Sequence, residues 1–279
     1  MLVNDFGKGI RAGLSILLFV CWFALPVQAD ETLFALAGDS TVASGNGWGD
    51  SLADFLPASI TVNNQAANGR STKSFINEGR WQTTLNLSPD YVFIQFGHND
   101  QKLDDSSRGT YAVDDPANVS PGPLDLYRGN LRRMVDDVVA LGATPILVTP
   151  AARRATPYDS AQAQIDRNSS QGSSDSFGNH YSLLDYADAV KAVAAEKKVT
   201  VIDLNQLSLD LYSEMIGNGQ DISTLGPAGD NTHFNATGAV AISELVAKSI
   251  PAEFVPEPSA ASLSMISLIL LGTLRRHAR

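Results

Sequence analysis

The stretch Tyr91-Val92-Phe93-Ile94-Gln95-Phe96-Gly97-His98-Asn99-Asp100 runs from almost unbroken apolar residues straight into a polar, glycine-led turn. Such a run does not alternate, so both faces are expected to be covered, as in the strands of a parallel sheet. Four more runs read the same way: Leu33 to Ala37, Ile60 to Asn63, Pro145 to Val148 and Thr200 to Ile202. Between them helical patterns are expected. Trp48 to Phe55 is short. Leu124 to Leu141 is long, with Leu131, Met134, Val138 and Leu141 at helical spacing; Leu183 to Lys197 and Asn235 to Ser249 follow the same logic. Gly142 stands where a glycine closes a helix. Strand and helix in alternation predict an α/β fold, a flavodoxin-like three-layer α/β/α arrangement around five parallel strands.

Polar motifs follow the strand runs: Gly38-Asp39-Ser40-Thr41, Asn68-Gly69-Arg70-Ser71 and Gly97-His98-Asn99-Asp100. In open α/β sheets ligands bind beyond the carboxyl ends of the strands, so Ser40, Gly69 and Asn99 are expected on one rim. Asp230 and His233, in Asp-Asn-Thr-His, precede the last helix. A serine hydroxyl needs a neighbouring base to become a nucleophile, and that base needs a third group to fix its tautomer. Ser40, His233 and Asp230 suit those catalytic roles. Alone, Asp-x-x-His reads as a turn and a helix cap, Gly69 as a tight-turn glycine and Asn99 as a loop cap. An ester hydrolase also needs donors for a developing oxyanion.

In this order the residues resemble the SGNH (GDSL-type) hydrolase pattern. The resemblance implies an oxyanion hole from the Ser40 and Gly69 N–H groups and the Asn99 amide. Ala37-Gly38-Asp39-Ser40-Thr41-Val42, Gly69 to Phe75, Glu78-Gly79-Arg80-Trp81, Phe96 to Asp100, Thr149-Pro150 with Arg153-Arg154, and Asp230 to Phe234 are similar to the rhamnogalacturonan acetylesterase branch. That branch implies removal of acetyl groups from plant cell-wall polysaccharide with no metal or other cofactor. A lipase or thioesterase of the same family, and a catalytically silent carbohydrate-binding protein, are the alternatives.

Arg70, Arg153 and Arg154, with Lys73 and Arg80, are candidates for the rim, since guanidinium groups bind carboxylates in bidentate fashion; ion pairs with the many acids are the competing reading. His98 reads as structural, packed beside Asn99. His180 reads as a surface histidine near Tyr181. Trp48 and Trp81 read as core more readily than as sugar platforms. Asp104, Asp105, Asp114 and Asp115 lack the spacing of a known calcium loop and read as solvated. The polar stretches 101–123 and 155–178 are expected to be surface loops near the rim.

The two ends look like targeting segments. Residues 1–29 carry Lys8 and Arg11, an apolar run from Leu14 to Pro26, and Val27-Gln28-Ala29, the order of a secretory signal peptide; an N-terminal membrane anchor is the competing reading, but the run is short for a span and Val27-x-Ala29 fits a peptidase site. Residues 256–279 begin Pro256-Glu257-Pro258 and continue through a mostly apolar stretch to Arg275-Arg276-His277-Ala278-Arg279, which resembles the PEP-CTERM sorting signal of bacteria with an exosortase; a plain C-terminal membrane anchor is the alternative reading. The resemblance implies signal peptidase and an exosortase-type enzyme as partners, with membrane contact only through the ends and an exported or cell-surface location. Residues 30–255 then form one esterase domain. They carry 15 Lys and Arg against 28 Asp and Glu, a net charge of −13, which disfavours nucleic acid as a partner. The single cysteine, Cys21, lies in the first segment, so the domain has no disulfide.

Overall fold

The computed structural model describes residues 31–255; the targeting segments expected at 1–29 and 256–279 lie outside them. Five strands form one sheet: β1 (Thr32–Gly38), β2 (Ile60–Asn64), β3 (Tyr91–Gln95), β4 (Thr144–Val148) and β5 (Thr200–Ile202). All neighbours are parallel, in the order β2-β1-β3-β4-β5. This is the expected three-layer α/β/α arrangement.

Successive side chains of a strand point to opposite faces, and here both faces are covered. Ala35, Ala37, Val92, Ile94 and Leu147 meet Phe75, Leu131, Met134, Tyr186 and Val190 on one side. Phe34, Leu36, Phe93, Ile146 and Val148 meet Trp48, Leu204, Ile242 and Val246 on the other. The continuous apolar runs follow from this double burial.

The helices are α1 (Thr72–Asn77), α2 (Arg80–Leu85), α3 (Tyr127–Ala140), α4 (Ala161–Ser170), α5 (Leu183–Lys197), α6 (Leu204–Gly217) and α7 (Ala236–Lys248). α3 starts three residues later than expected. Leu141 caps its end half-exposed rather than buried, and Gly142 follows with φ +83, the left-handed geometry that closes a helix. Asn235 caps α7 from its side chain, and Trp48 to Phe55 is a short 3-10 turn over Gly49–Phe55. The stretch 155–178 is not loop throughout, because α4 lies within it.

The register aligns the strand ends: Gly38 lies beside Gln95, and Leu36 beside Asn64. Residues leaving β1, β2 and β3 therefore emerge together. The chain crosses from β1 to β2 on one side and continues to β3 on the other, which opens a crevice where the strand order reverses.

Candidate active site

Ser40 sits in the turn that follows β1, held by Val42 and Ala43 N–H groups donating to the Asp39 carbonyl at 3.1 and 3.0 Å. Gly38 allows the turn to fold back; a Cβ there would lie 2.6 Å from Val42 and 2.9 Å from the Gln95 carbonyl oxygen. Beneath the turn is a buried polar chain. Trp48 Nε1 donates to Gln95 Oε1 at 2.9 Å, Gln95 Nε2 to Thr41 Oγ1 at 2.7 Å, and Thr41 Oγ1 to Asp39 Oδ1 at 2.7 Å. Satisfied polar groups of this kind fix one arrangement.

His233 reaches Ser40 from the loop before α7. Its Nε2 lies 2.8 Å from Ser40 Oγ, and its Nδ1 lies 2.7 Å from Asp230 Oδ2. Asp230 Oδ1 also accepts the Thr232 and His233 N–H groups at 2.8 and 2.9 Å, so one carboxylate folds the loop and orients the ring. Burial alone would raise the Asp230 pKa, but these hydrogen bonds from the His233 backbone and ring and from Thr232 outweigh it and hold it at about 2. With a proton on Nδ1 facing that carboxylate, Nε2 is left to accept from the serine hydroxyl.

Gly69 is the third residue of a turn closed by Arg70 N–H donating to the Ala67 carbonyl at 3.3 Å, and its φ of +77 requires glycine although space for a Cβ is open. Asn99 follows β3, and its Nδ2 donates to the Arg70 carbonyl at 3.1 Å, tying the second and third motifs together. Among the described residues the Ser40 and Gly69 N–H groups donate to no protein acceptor. Ser40, Gly69, Asn99 and His233 all line one cleft of about 290 Å³.

Of the other walls, only Arg153 is among the rim candidates. Asn46, Asn68, Lys102, Arg108 and Thr232 line the cleft, together with Arg153 and His98, and no Asp or Glu does. Lys102 and Arg153 have no carboxylate partner within ion-pair distance among the described residues, whereas Arg108 pairs with Asp105 at 2.7 Å. Burial, and then the nearby Arg167, brings Arg153 down to about 10, so it stays charged at neutral pH. Burial, with Arg108 and Arg153 close by, lowers Lys102. Arg153 lies in the segment after β4 and is held from α4, whose inward face is polar: Asn168 accepts from the Arg153 N–H at 2.9 Å and donates to its carbonyl at 3.0 Å.

Two of the three rim arginines are placed elsewhere. Arg154 is buried beneath the Asp230 loop, its Nη2 donating to the Asp230 and His233 carbonyls at 2.8 and 2.6 Å, so it braces the loop instead of facing the cleft. Arg70 turns away to Glu78, 3.0 Å distant, which also binds Arg80; Lys73 pairs with Asp125. Trp48 and Trp81 are core residues, and His180 is exposed. Asp105 accepts from Ser107 and pairs with Arg108, while Asp114 pairs with Arg132 at 2.7 Å, so these acids staple the loops. Among the described residues no three His, Cys, Asp or Glu side chains are grouped to hold a metal ion.

The sequence model of the GDSL-like Lipase/Acylhydrolase family matches residues 35–241. A probable rhamnogalacturonan acetylesterase of Bacillus subtilis (strain 168), YesY, is 34% identical over 233 residues, covering 77% of this chain and 90% of that protein. The rhamnogalacturonan acetylesterase RhgT of the same organism is 34% identical over 236 residues, covering 77% and 88%. Among solved structures, YxiM of Bacillus subtilis superimposes with a TM-score of 0.58 at 25% identity, covering 79% of this chain and 56% of that one. A catalytic mutant of Axe2, an acetylxylan esterase from Geobacillus stearothermophilus, gives 0.57 at 18% identity, covering 82% and 99%, a likeness of fold.

Proposed function

The chain belongs to the GDSL-like lipase/acylhydrolase family, and from that premise we propose that it is a serine esterase removing acetyl groups from an acetylated plant cell-wall polysaccharide, rhamnogalacturonan first. One observation carries the reading: the unbroken chain Ser40 Oγ, His233 Nε2, His233 Nδ1, Asp230 Oδ2, with links of 2.8 and 2.7 Å, opening on a polar cleft.

In this reading His233 takes the Ser40 proton on Nε2 while Ser40 Oγ attacks the acetyl carbonyl carbon. Negative charge collects on the carbonyl oxygen. The Ser40 and Gly69 N–H groups and the second amide hydrogen of Asn99, left over from its bond to Arg70, are the donors for it. His233 then gives the proton to the departing sugar oxygen. Water, deprotonated by the same nitrogen, attacks the acetyl carbon, and the proton passes to Ser40 Oγ as its bond to that carbon breaks and acetate leaves.

The basic walls favour an acidic polysaccharide over a neutral one. A domain of net charge −13 lines this one cleft with Lys102, Arg108 and Arg153 and no acid, which suits uronate carboxylates. The same polar lining disfavours long acyl chains, since no Leu, Ile, Val, Phe or Met lies on it. The test is acetate release from acetylated rhamnogalacturonan, homogalacturonan, xylan and chitin beside nitrophenyl esters of rising chain length. Rhamnogalacturonan is expected to lead. A preference for long acyl esters, or silence on every substrate, overturns the proposal.

Export is part of the reading, and it rests on residue order alone: 1–29 as a secretory signal and 256–279 as a sorting tail recognised by an exosortase-type enzyme. Mass spectrometry of protein from cells is expected to find a chain beginning at Asp30; one beginning at Met1 overturns that part.

A further inference from the structure

A second histidine–carboxylate pair lies beside the first. His98 and Asp39 are both buried, at 3% and 0% exposure, and His98 Nδ1 stands 3.4 Å from Asp39 Oδ2. The other Asp39 oxygen is taken by the Thr41 N–H and hydroxyl at 2.9 and 2.7 Å, so the carboxylate cannot turn away from the ring. His98 also lines the cleft, and its Nε2 has no protein partner among the described residues. Nδ1 is sealed from solvent without a hydrogen-bond partner, whereas Nε2 opens on the cleft.

The protonation pattern follows from the surroundings. Burial lowers the pKa of His98, against the pull of Asp39 and helped by Arg153 and His233. Burial of Asp39 is outweighed by His98 and the Thr41 hydrogen bonds, which keep its carboxyl ionised. An ionised Asp39 Oδ2 3.4 Å from Nδ1 favours the neutral tautomer that carries its proton there, which leaves the Nε2 lone pair to face the cleft. It is not needed as a second base, because Ser40 Oγ is already held by His233.

Asp39 precedes Ser40, and His98 precedes Asn99. The acetyl carbonyl must sit between Ser40 Oγ and the Asn99 amide, and His98 lines the same cleft, so its Nε2 faces a sugar whose ester is held there. On a sugar the nearest donor to an ester oxygen is the hydroxyl on the adjoining carbon. We propose that His98, aimed by Asp39, is a specificity-determining residue that accepts a hydrogen bond from the free hydroxyl next to the acetyl group. This rests on the esterase reading. It makes a neighbouring free hydroxyl, rather than the acetyl group alone, part of what the cleft selects.

The experiment compares two monoacetylated methyl uronosides, one with the neighbouring hydroxyl free and one with that hydroxyl replaced by hydrogen, on wild type, His98→Asn and Asp39→Asn. A site built around a hydroxyl rejects an analogue lacking it, so wild type is expected to prefer the first by about 10-fold or more in kcat/KM. His98→Asn keeps a donor toward Asp39 but removes the nitrogen that faces the cleft, and the preference is expected to fall below about 3-fold. Asp39→Asn leaves the ring in place and releases its tautomer, so it acts as a positioning change and lowers the same ratio even if His98→Asn fails to fold. A wild type equally active on both compounds overturns the proposal. So does a folded variant that keeps the wild-type preference. A wild type inactive on both compounds and on the polysaccharide panel overturns the esterase reading itself, a distinct outcome.

Discussion

Two hollows lie at opposite ends of the same strands. At the carboxyl ends the cleft holding Ser40 and His233 measures about 290 Å³; at the amino ends a hollow of about 530 Å³ is lined by Thr32, Ser88, Asp90, Tyr91, Leu141 and Thr144. The larger one has no nucleophile beside a base. Its carboxylate, Asp90, accepts the Leu33 N–H at 2.7 Å and so serves the backbone of β1. The difference is convergence. Loops leaving β1, β2, β3 and β4 meet at one end and bring side chains separated along the chain into contact, while the other end only receives the chain from its helices. Volume says little about chemistry; hydrogen bonds left open between convergent groups say more.

The largest expected effect at the carboxyl end is that of Ser40→Ala, which should lower acetate release by about 10⁴-fold or more with an unshifted melting temperature. Adding His233→Ala should cost little further, because the two act as a unit. Multiplying losses in the double mutant break the account of the catalytic end.

Asp230→Asn should lower kcat by about 10²- to 10⁴-fold, since the amide leaves His233 in place but not in its productive tautomer. It also has a stability signature. The folded-state pKa of about 2 lies below the ordinary carboxylate value, so the contribution is present above that value and is lost as pH falls through about 2. The melting gap between wild type and variant is therefore expected to be widest near neutral pH and to close in acid. A gap independent of pH contradicts the assignment.

How far this was readable beforehand depends on what each element buries. The strands showed because both faces are apolar, and α3, α5 and α7 because each has an apolar stripe. α4 hid because its inward residues are Gln164 and Asn168. α6 hid because Leu204, Leu207, Leu209 and Leu211 mix helical with alternating spacing. In the site, Ser40, Gly69, Asn99, Asp230 and His233 stood in motifs that announce their neighbours. Lys102 and Arg108 lie in a polar stretch with no period, and whether Arg153 or Arg154 faces the cleft depends on backbone direction. No sequence signal separates two adjacent arginines of that kind.

Smaller effects sharpen the contrast further. Lys102→Gln should raise KM for the uronate-bearing substrate by about 3- to 10-fold with kcat little changed, and added salt should shrink the difference. At the amino end, Asp90→Asn should leave kcat/KM within about 2-fold while costing about 1 kcal/mol of stability through the weakened bond to Leu33. Denaturant unfolding and initial rates on the same preparations check both. An Asp90 variant that lost activity without losing stability would show that the larger hollow takes part in the reaction.

The most direct measurement is the covalent intermediate. Turnover of an acetylated saccharide is quenched in acid within the first cycle, and the protein is digested for mass spectrometry. The account predicts an acetyl group on the peptide containing Ser40, present in wild type, enriched when water attack is slowed, and missing from Ser40→Ala. Acetate released at the normal rate with Ser40 never acetylated, or with the acetyl group carried by another residue, contradicts it.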